Sequence, residues 1–289
     1  MRTMVRKATS LIIKHEISFS QNGPHAKDGF TLSYNEKGYR DVDLVRLIAH
    51  SLPLFALTER EIQECVENGE LSAIQEMALS RISQAKRDKK GDYGEALLFI
   101  LLAAFYGNER IVTKLKLRSS STEQIKGFDC ANFTYENGEL TVWLGEVKFY
   151  QDFSSAVDDV IEELVKHTTA EYIKGEFRVL LPNCEINRNS PLRDRILSVL
   201  DGSTSLDKVK IKIPVLLTCN STQLSRFNDA SSENFLNFVD RYFSKKFEII
   251  ERKMPKSLER FDVVFIVLPL HDVKLVKKKL DDYEKVLEL

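Results

Sequence analysis

Between Val42 and Leu54 the apolar residues Val42, Leu44, Val45, Leu47, Ile48, Leu52 and Leu54 follow a mostly helical spacing. They predict a helix that Pro53 disturbs near its end. Thr58 followed by Glu61 is a capping-box pattern, and it starts a helix carrying Ile62, Cys65 and Val66 that Asn68-Gly69 ends. Leu71, Ile74, Met77, Ala78 and Ile82 then predict another amphipathic helix. Ahead of all three, Leu11 to Phe19 partly alternates and predicts a short strand ending near Gly23-Pro24. The basic run Lys86-Arg87-Asp88-Lys89-Lys90 before Gly91 marks a joint, and the rhythm changes after it. Asp92 to Tyr106 predicts an apolar helix carrying Glu95, closed by Gly107-Asn108. Three strands follow, over Arg110–Leu117, Ile125–Tyr135 and Leu140–Phe149, with a hairpin signal at Asn137-Gly138. Ser154 to Ile173 predicts a helix stopped by Gly175, and Phe177 to Leu181 a short buried strand. Val209–Thr218 and Asp262–Leu268 predict two more strands, separated by a helix over Glu233–Phe243. A charged helix over Val273–Leu289 comes last.

Strands and helices in this order predict an α/β fold with a mixed sheet flanked by helices. Residues 1–85 read as a mainly helical N-terminal region suited to docking a partner, and residues 86–289 as the domain that carries the chemistry. A chain of 289 residues buries a sufficient core without staples. The four cysteines (Cys65, Cys130, Cys184 and Cys219) form no CxxC pair, so a zinc ribbon, a redox motif and a disulfide framework are all excluded. No run approaches the ~18 consecutive apolar residues of a membrane span. Leu11-Ile12-Ile13 is interrupted by Lys14-His15-Glu16, which is no signal-peptide core, and a cytoplasmic chain is expected. The 42 basic and 43 acidic residues nearly cancel. A stand-alone nucleic-acid binder is usually strongly basic. Contact with nucleic acid here is therefore local, or is supplemented by a partner.

The chemistry concentrates in Lys126-Gly127-Phe128-Asp129 and Gly145-Glu146-Val147-Lys148. Side chains two apart on a strand share one face at roughly 6–7 Å. Glu146 and Lys148 are thus neighbours, and the hairpin brings Asp129 beside Glu146 on the preceding strand. Two carboxylates there make an oxygen-rich site for a hard cation such as Mg²⁺, with Mn²⁺ as a substitute. Asp129 and Glu146 are the expected metal ligands, aided by the Val147 backbone carbonyl. Glu95 on the preceding helix completes the shell or binds a second ion. Lys148 positions or deprotonates the attacking water and opposes charge on the phosphorane. Asp88-Lys89-Lys90, Glu251-Arg252-Lys253 and Asp272-Val273-Lys274 share the acidic-x-basic pattern, but sit in charged or helical contexts. Only Glu146-Val147-Lys148 lies in an apolar strand, where unpaired charges are costly to bury.

Glu95, Asp129, Glu146 and Lys148, with the following helix and strand, resemble the PD-(D/E)xK nuclease superfamily. That resemblance implies a restriction-endonuclease-like sheet and Mg²⁺-dependent DNA cleavage. Phe128 stands where the superfamily has proline before the aspartate. The N-terminal helical region, Gly91-Asp92-Tyr93-Gly94-Glu95, Lys126-Gly127-Phe128-Asp129 and Gly145-Glu146-Val147-Lys148-Phe149-Tyr150 also resemble the HamA nucleases of Hachiman antiphage defence. This second resemblance implies a DNA-degrading effector that pairs, as a heterodimer, with a superfamily 2 helicase of HamB type. The readings left beside it are a restriction- or repair-type nuclease acting on DNA or RNA, and a non-catalytic helicase-binding subunit.

His15, His25, His50, His167 and His271 fall in no HExxH or HxH spacing. His167, Lys166, Tyr150 and Lys126 are the candidate nucleic-acid contacts around the active strands. Asp158, Asp159, Glu162 and Glu163 read as a solvated acidic face, and Lys277-Lys278-Lys279 as a solvated basic one.

Overall fold

The computed structural model describes residues 1–19, 23–81, 91–113, 127–136, 138–183 and 191–287. Lys126, Asn137, Cys184, the joint at residues 86–90 and the Ser119–Thr122 loop lie outside them, as do the last two residues of the expected C-terminal helix.

Met4, Ala8 and Leu11 are spaced four and three apart, and this stretch folds as helix α1 (Arg2–Leu11) rather than as the start of a strand. Strand β1 is confined to Ile12–His15 and turns back into β2 (Ala26–Leu32), which the sequence reading missed. Two-residue strands β3 (Tyr34–Asn35) and β4 (Gly38–Tyr39) lead into α2 (Asp41–Ala56). This helix runs through Pro53. The proline leaves the Ala49 carbonyl without its helical N–H, and Gln75 Nε2 donates to that oxygen at 3.1 Å instead. Helix α3 (Glu59–Glu67) has the expected capping box, with Glu61 N donating to Thr58 Oγ1 at 2.9 Å and Thr58 N to Glu61 Oε2 at 2.7 Å. Helix α4 (Leu71–Ser80) follows.

Helix α5 (Asp92–Phe105) is apolar around most of its circumference. Such a helix must be covered on all sides, and α5 lies between the sheet on one side and α1 and α2 on the other. Strands β5 (Glu109–Thr113), β6 (Cys130–Glu136) and β7 (Glu139–Phe149) form an antiparallel meander. Glu136 pairs with Glu139, and Gly138 in the turn between them has φ +85°.

The expected helix over Ser154–Ile173 is two helices, α6 (Phe153–His167) and α7 (Ala170–Leu180). They part at Thr168-Thr169, where Thr169 Oγ1 caps α7 by accepting from Tyr172 N at 3.3 Å. Gly175 does not end a helix but lies inside α7, and the expected strand Phe177–Leu181 is the last turn of α7 running into a 3₁₀ turn. Ile173, Phe177 and Leu180 are buried on one side of α7 while Val179 is exposed. Helical periodicity therefore overrides a short apolar run that reads either way. A further short helix, α8 (Arg193–Leu200), precedes β8 (Lys210–Asn220). Helix α9 (Glu233–Lys253), β9 (Asp262–Leu270) and α10 (Val273–Leu287) complete the chain.

The seven-stranded sheet has the order β1-β2-β9-β8-β7-β6-β5. Strands β2, β9, β8 and β7 are mutually parallel, and antiparallel strands close both edges. The parallel strands are buried on both faces, which accounts for continuous apolar runs such as Val263–Leu268. One apolar core lies between the sheet and α1, α2, α5 and α10. The other lies between the opposite face and α6, α7, α8 and α9. Residues from the first 85 and from the rest of the chain thus share one sheet and one core.

Candidate active site

Strand β7 alternates in the expected way. Val147 and Phe149 face α5, where a Cβ on Gly94 would lie 2.7 Å from Val147 Cγ1 and 3.1 Å from Phe149 Cβ. Glu146, Lys148 and Tyr150 face the other way, toward α6. Gly145 has no room for a side chain, because a Cβ there would meet Cys130 Sγ and, at 2.8 Å, Leu98 Cδ2. The glycine lets β6, β7 and α5 close together just before the acidic residue.

Asp129 sits one residue beyond the Cys130–Gly145 pair, opposite Glu146. Its backbone N–H donates to the Gly145 carbonyl at 2.7 Å, and its Oδ2 accepts from Val147 N at 2.8 Å. The carboxylate is thereby fixed on the active strand itself. The structure brings Asp129, Glu146 and Lys148 together at the adjoining ends of β6 and β7.

Glu95 comes from α5, on the opposite face of the sheet from α6. It is connected to the other carboxylates through Cys130. Burial pushes the Cys130 thiol well above its ordinary value, and the charges of Asp129, Glu95 and Glu146, in that order, push it further. All three carboxylates are thus within electrostatic reach of one thiol. Among the described residues, no three His, Cys, Asp or Glu side chains are grouped in a geometry that would hold a metal.

Helix α6 brings a second set of polar groups; the sequence reading left Asp159 and Glu163 on a solvated face and took His167 as a candidate nucleic-acid contact. His167 Nδ1 lies 2.5 Å from Glu146 Oε1. The Lys148 ammonium lies 2.6 Å from Glu163 Oε2. Tyr150 has Asp159 for its neighbour on the helix, and its hydroxyl is pushed up to about 12, first by burial and then by that carboxylate. Asp159, Glu163 and His167 are four residues apart along the helix and meet Tyr150, Lys148 and Glu146, two apart along the strand. Four helical residues rise ~6.0 Å and two strand residues ~6.6 Å. The helix runs antiparallel to the strand, so the three pairs stay in register. The i, i+4, i+8 spacing of Asp159, Glu163 and His167 was the signal that could have revealed them.

Beyond His167 the shell is aromatic and acidic. Tyr172 from α7 stacks on the His167 ring at 4.2 Å and 15°, and Phe128 packs edge-on against His167 at 5.3 Å. Burial raises the Tyr172 hydroxyl far above its usual range, helped by Glu176, Glu146, Glu163 and Asp129. Glu176 accepts from Phe128 N at 3.2 Å and lies where a Cβ on Gly127 would stand, at φ +141°. Phe128, in the position that holds proline in the resembling superfamily, thus packs the histidine that meets Glu146.

The remaining candidate contacts separate. Tyr150 is at the surface end of the rail, whereas Lys166 pairs with Glu162 at 2.5 Å on the solvent side of α6 and does not reach the carboxylates. Lys277 of α10 lies 5.2 Å from the Phe149 ring, on the α5 side of β7. Cys65, Cys130 and Cys219 are buried free thiols, as expected. Among the described residues, no helix is long and apolar enough to cross a membrane.

No curated protein matches the chain. Comparison with known families matches HamA over residues 8–283, a span that takes in the whole sheet and every described candidate site residue. The chain thus belongs to the HamA family, the effectors of Hachiman antiphage defence.

Proposed function

We propose that this HamA chain is a Mg²⁺-dependent deoxyribonuclease of PD-(D/E)xK type, acting through Asp129, Glu146 and Lys148. The observation that carries this reading is the meeting of two carboxylates and an ammonium on the adjoining ends of two strands, with Glu146 and Lys148 both nearly buried. Charges in such a place are costly unless they serve a bound ion or a firm partner.

The donor set suits magnesium. Mg²⁺ takes one or two carboxylates from a protein and keeps several waters, so a third clustered side chain is not required. Asp129 and Glu146 are the ligands of this reading, with the Val147 carbonyl beside them and Glu95 on the neighbouring helix. Mn²⁺ accepts the same oxygen donors. When bound, the ion supplies Lewis-acid polarisation of a phosphoryl oxygen and a lowered pKa for water. The chain's own groups do the rest. Lys148 opposes the charge that builds on the phosphorane and orients the attacking water. His167, held by Tyr172, fixes one oxygen of Glu146 and so the direction of the other. Hydrolysis forms a P–O bond from water and breaks the P–O bond to the leaving nucleotide, which takes up a proton.

The near-zero net charge gives the chain little general attraction for DNA. A superfamily 2 helicase of HamB type, bound as a heterodimer in the cytoplasm, delivers the substrate in this reading. Residues 1–85 are assigned to docking that helicase, and exposed Val66 near the end of α3 and Leu71 at the start of α4 support the assignment. Residues 86–289 are assigned to the nuclease. A second reading has its own observation: Lys148 with Glu163, and Glu146 with His167, are what a purely structural pairing in a helicase-binding subunit would also show.

The test is cleavage of plasmid and single-stranded DNA with Mg²⁺ or EDTA, with and without helicase and ATP. Wild type is compared with Glu146→Ala and Lys148→Ala. Loss of a preorganised charge typically lowers the rate ~10²-fold or more, and both variants should fall that far while melting normally. A Lys148→Ala protein that cuts at the wild-type rate overturns the role of Lys148. A wild type that never cuts, yet binds the helicase stably, favours the second reading.

A further inference from the structure

Of the three polar pairs between α6 and β7, the outer two differ from the middle one. The Glu146–His167 pair is almost enclosed, with side chains 2% and 15% exposed, and the imidazole is stacked on Tyr172. The Tyr150–Asp159 pair lies toward the surface and carries one formal charge. The middle pair joins an enclosed ammonium to a carboxylate open to water: Lys148 is 10% exposed and Glu163 36%. Lys148 is fixed by its strand, whose carbonyls at Lys148 and Tyr150 receive Thr218 Oγ1 at 3.5 and 3.2 Å. Glu163 is partly open to water and is not among the buried apolar residues of α6, so it can turn outward without disturbing the core under that helix. If this pair opens, the carboxylate is the partner that moves.

Resting on the nuclease reading, we propose that Glu163 is a positioning residue that stands in for the scissile phosphate. Its carboxylate holds the Lys148 ammonium in place in the substrate-free protein, and an incoming phosphodiester displaces it into solvent. Two arguments carry the proposal. An enclosed ammonium needs an anion at all times, because removing one partner of an enclosed pair leaves an uncompensated charge. The phosphate oxygen and the Glu163 carboxylate cannot both take the same face of Lys148, since like charges at contact repel in a partly dry site. Free protein and complex therefore exchange one anion for another at a fixed cation. The exchange gives the site a preference for phosphodiesters that bring enough binding energy from elsewhere along the strand to expel a carboxylate.

The experiment measures binding of a short fluorescent duplex DNA in Ca²⁺, a hard cation that takes the same oxygen donors. The proteins are wild type, Glu163→Gln, Lys148→Ala and the double variant. Glu163→Gln keeps the shape and removes the competing charge, so it should tighten binding by about fivefold, the equivalent of one modest ion pair. The gain should vanish in the Lys148→Ala background, which a general loss of negative charge would not produce. Under turnover in Mg²⁺, Glu163→Gln should lower KM by a similar factor with kcat little changed, and Glu163→Asp should restore the wild-type KM. Unchanged or weaker binding by Glu163→Gln, a gain that survives without Lys148, or a fall in kcat alone overturns the proposal while leaving the nuclease reading intact. A wild type that neither binds this DNA alone nor cleaves it in Mg²⁺ with the helicase present overturns both.

Discussion

Gly94 and Gly175 both lie inside helices with ordinary backbone angles, yet replacing each with alanine should move stability in opposite directions. Taken alone, Gly→Ala in a helix interior stabilises by about 0.8–1.0 kcal/mol, because glycine gives up more conformational freedom on folding. At Gly175 nothing stands within 4 Å of the new Cβ. The full gain should appear there, raising Tm by roughly 1–2 °C for a chain of this size. At Gly94 the Cβ would stand 2.7 Å from Val147 Cγ1 and 3.1 Å from Phe149 Cβ. Carbon atoms pack best at about 3.5–4.0 Å, so α5 and β7 must separate by nearly 1 Å. The Phe149 atom is a Cβ, which no rotamer change can move aside. Overpacking of this kind costs about 1–3 kcal/mol. The helical gain offsets part of it, leaving a net loss of up to about 2 kcal/mol and a Tm lower by up to about 3 °C.

Differential scanning calorimetry of the two single variants and the double variant measures this directly. The sites are on opposite faces of the sheet and share no neighbouring side chain, so the effects should add. Because Val147 and Phe149 flank Lys148, Gly94→Ala should also reduce DNA cleavage while Gly175→Ala leaves it near wild type. If Gly94→Ala stabilises the protein as Gly175→Ala does, the close approach of α5 to the active strand is wrong, and with it the argument for how that strand is held.

Two other predictions concern the N-terminal region. Thr58→Ala removes the side-chain acceptor for Glu61 N and should cost about 1 kcal/mol; an unchanged urea midpoint would show that the capping box contributes nothing. Burial raises the Asp41 carboxyl to about 6, against a partial pull downward from the His271 backbone N–H. An acid whose folded pKa exceeds its unfolded value of about 4 carries no penalty below pH 4, a growing one from 4 to 6, and the full one above 6. Asp41→Asn should therefore match wild type near pH 4 and exceed it by roughly 2 kcal/mol at pH 7.5, as read from urea unfolding at both pH values. A difference that does not change with pH would refute this assignment.

What the sequence disclosed depended on the range of the interactions. The strands β7, β8 and β9 are legible because burial on both faces makes each a continuous apolar run, and α3 is legible because its capping box is local. Strand β2 was not, since Lys27-Asp28-Gly29 reads as a turn. In the fold Lys27 is fully buried and meets Glu251 at 2.6 Å, while Asp28 accepts from Tyr106 and pairs with Lys14 at 2.9 Å. Partners more than 70 residues away along the chain turn a polar stretch into a strand. Helix α7 failed for another reason: Phe177 to Leu181 is short enough that helix and strand periods cannot be told apart. Asp129, Glu146 and Lys148 needed only strand alternation and a hairpin, both local. Glu163 and Tyr172 depend on how α6 and α7 rest on the sheet, which no local pattern states.

That docking nonetheless obeys a simple numerical condition. A helix lying along a strand keeps its i, i+4, i+8 side chains opposite the strand's i, i+2, i+4 positions only while two unequal steps stay close, ~6.0 against ~6.6 Å. Across three pairs the accumulated difference is about 1.2 Å, which long side chains such as Glu163 and Lys148 absorb. A fourth pair would add another step of drift, and the rail in fact ends at both sides: His167 is the last residue of α6, and Tyr150 is the first residue beyond β7. The charged pair thus occupies the middle, where register is best. A carboxylate is held against Lys148 without being enclosed, and Glu146 is held at the end where Tyr172 and Phe128 close over its histidine. The same helix therefore grips one active residue firmly and the other loosely, and the difference follows from where each falls along it.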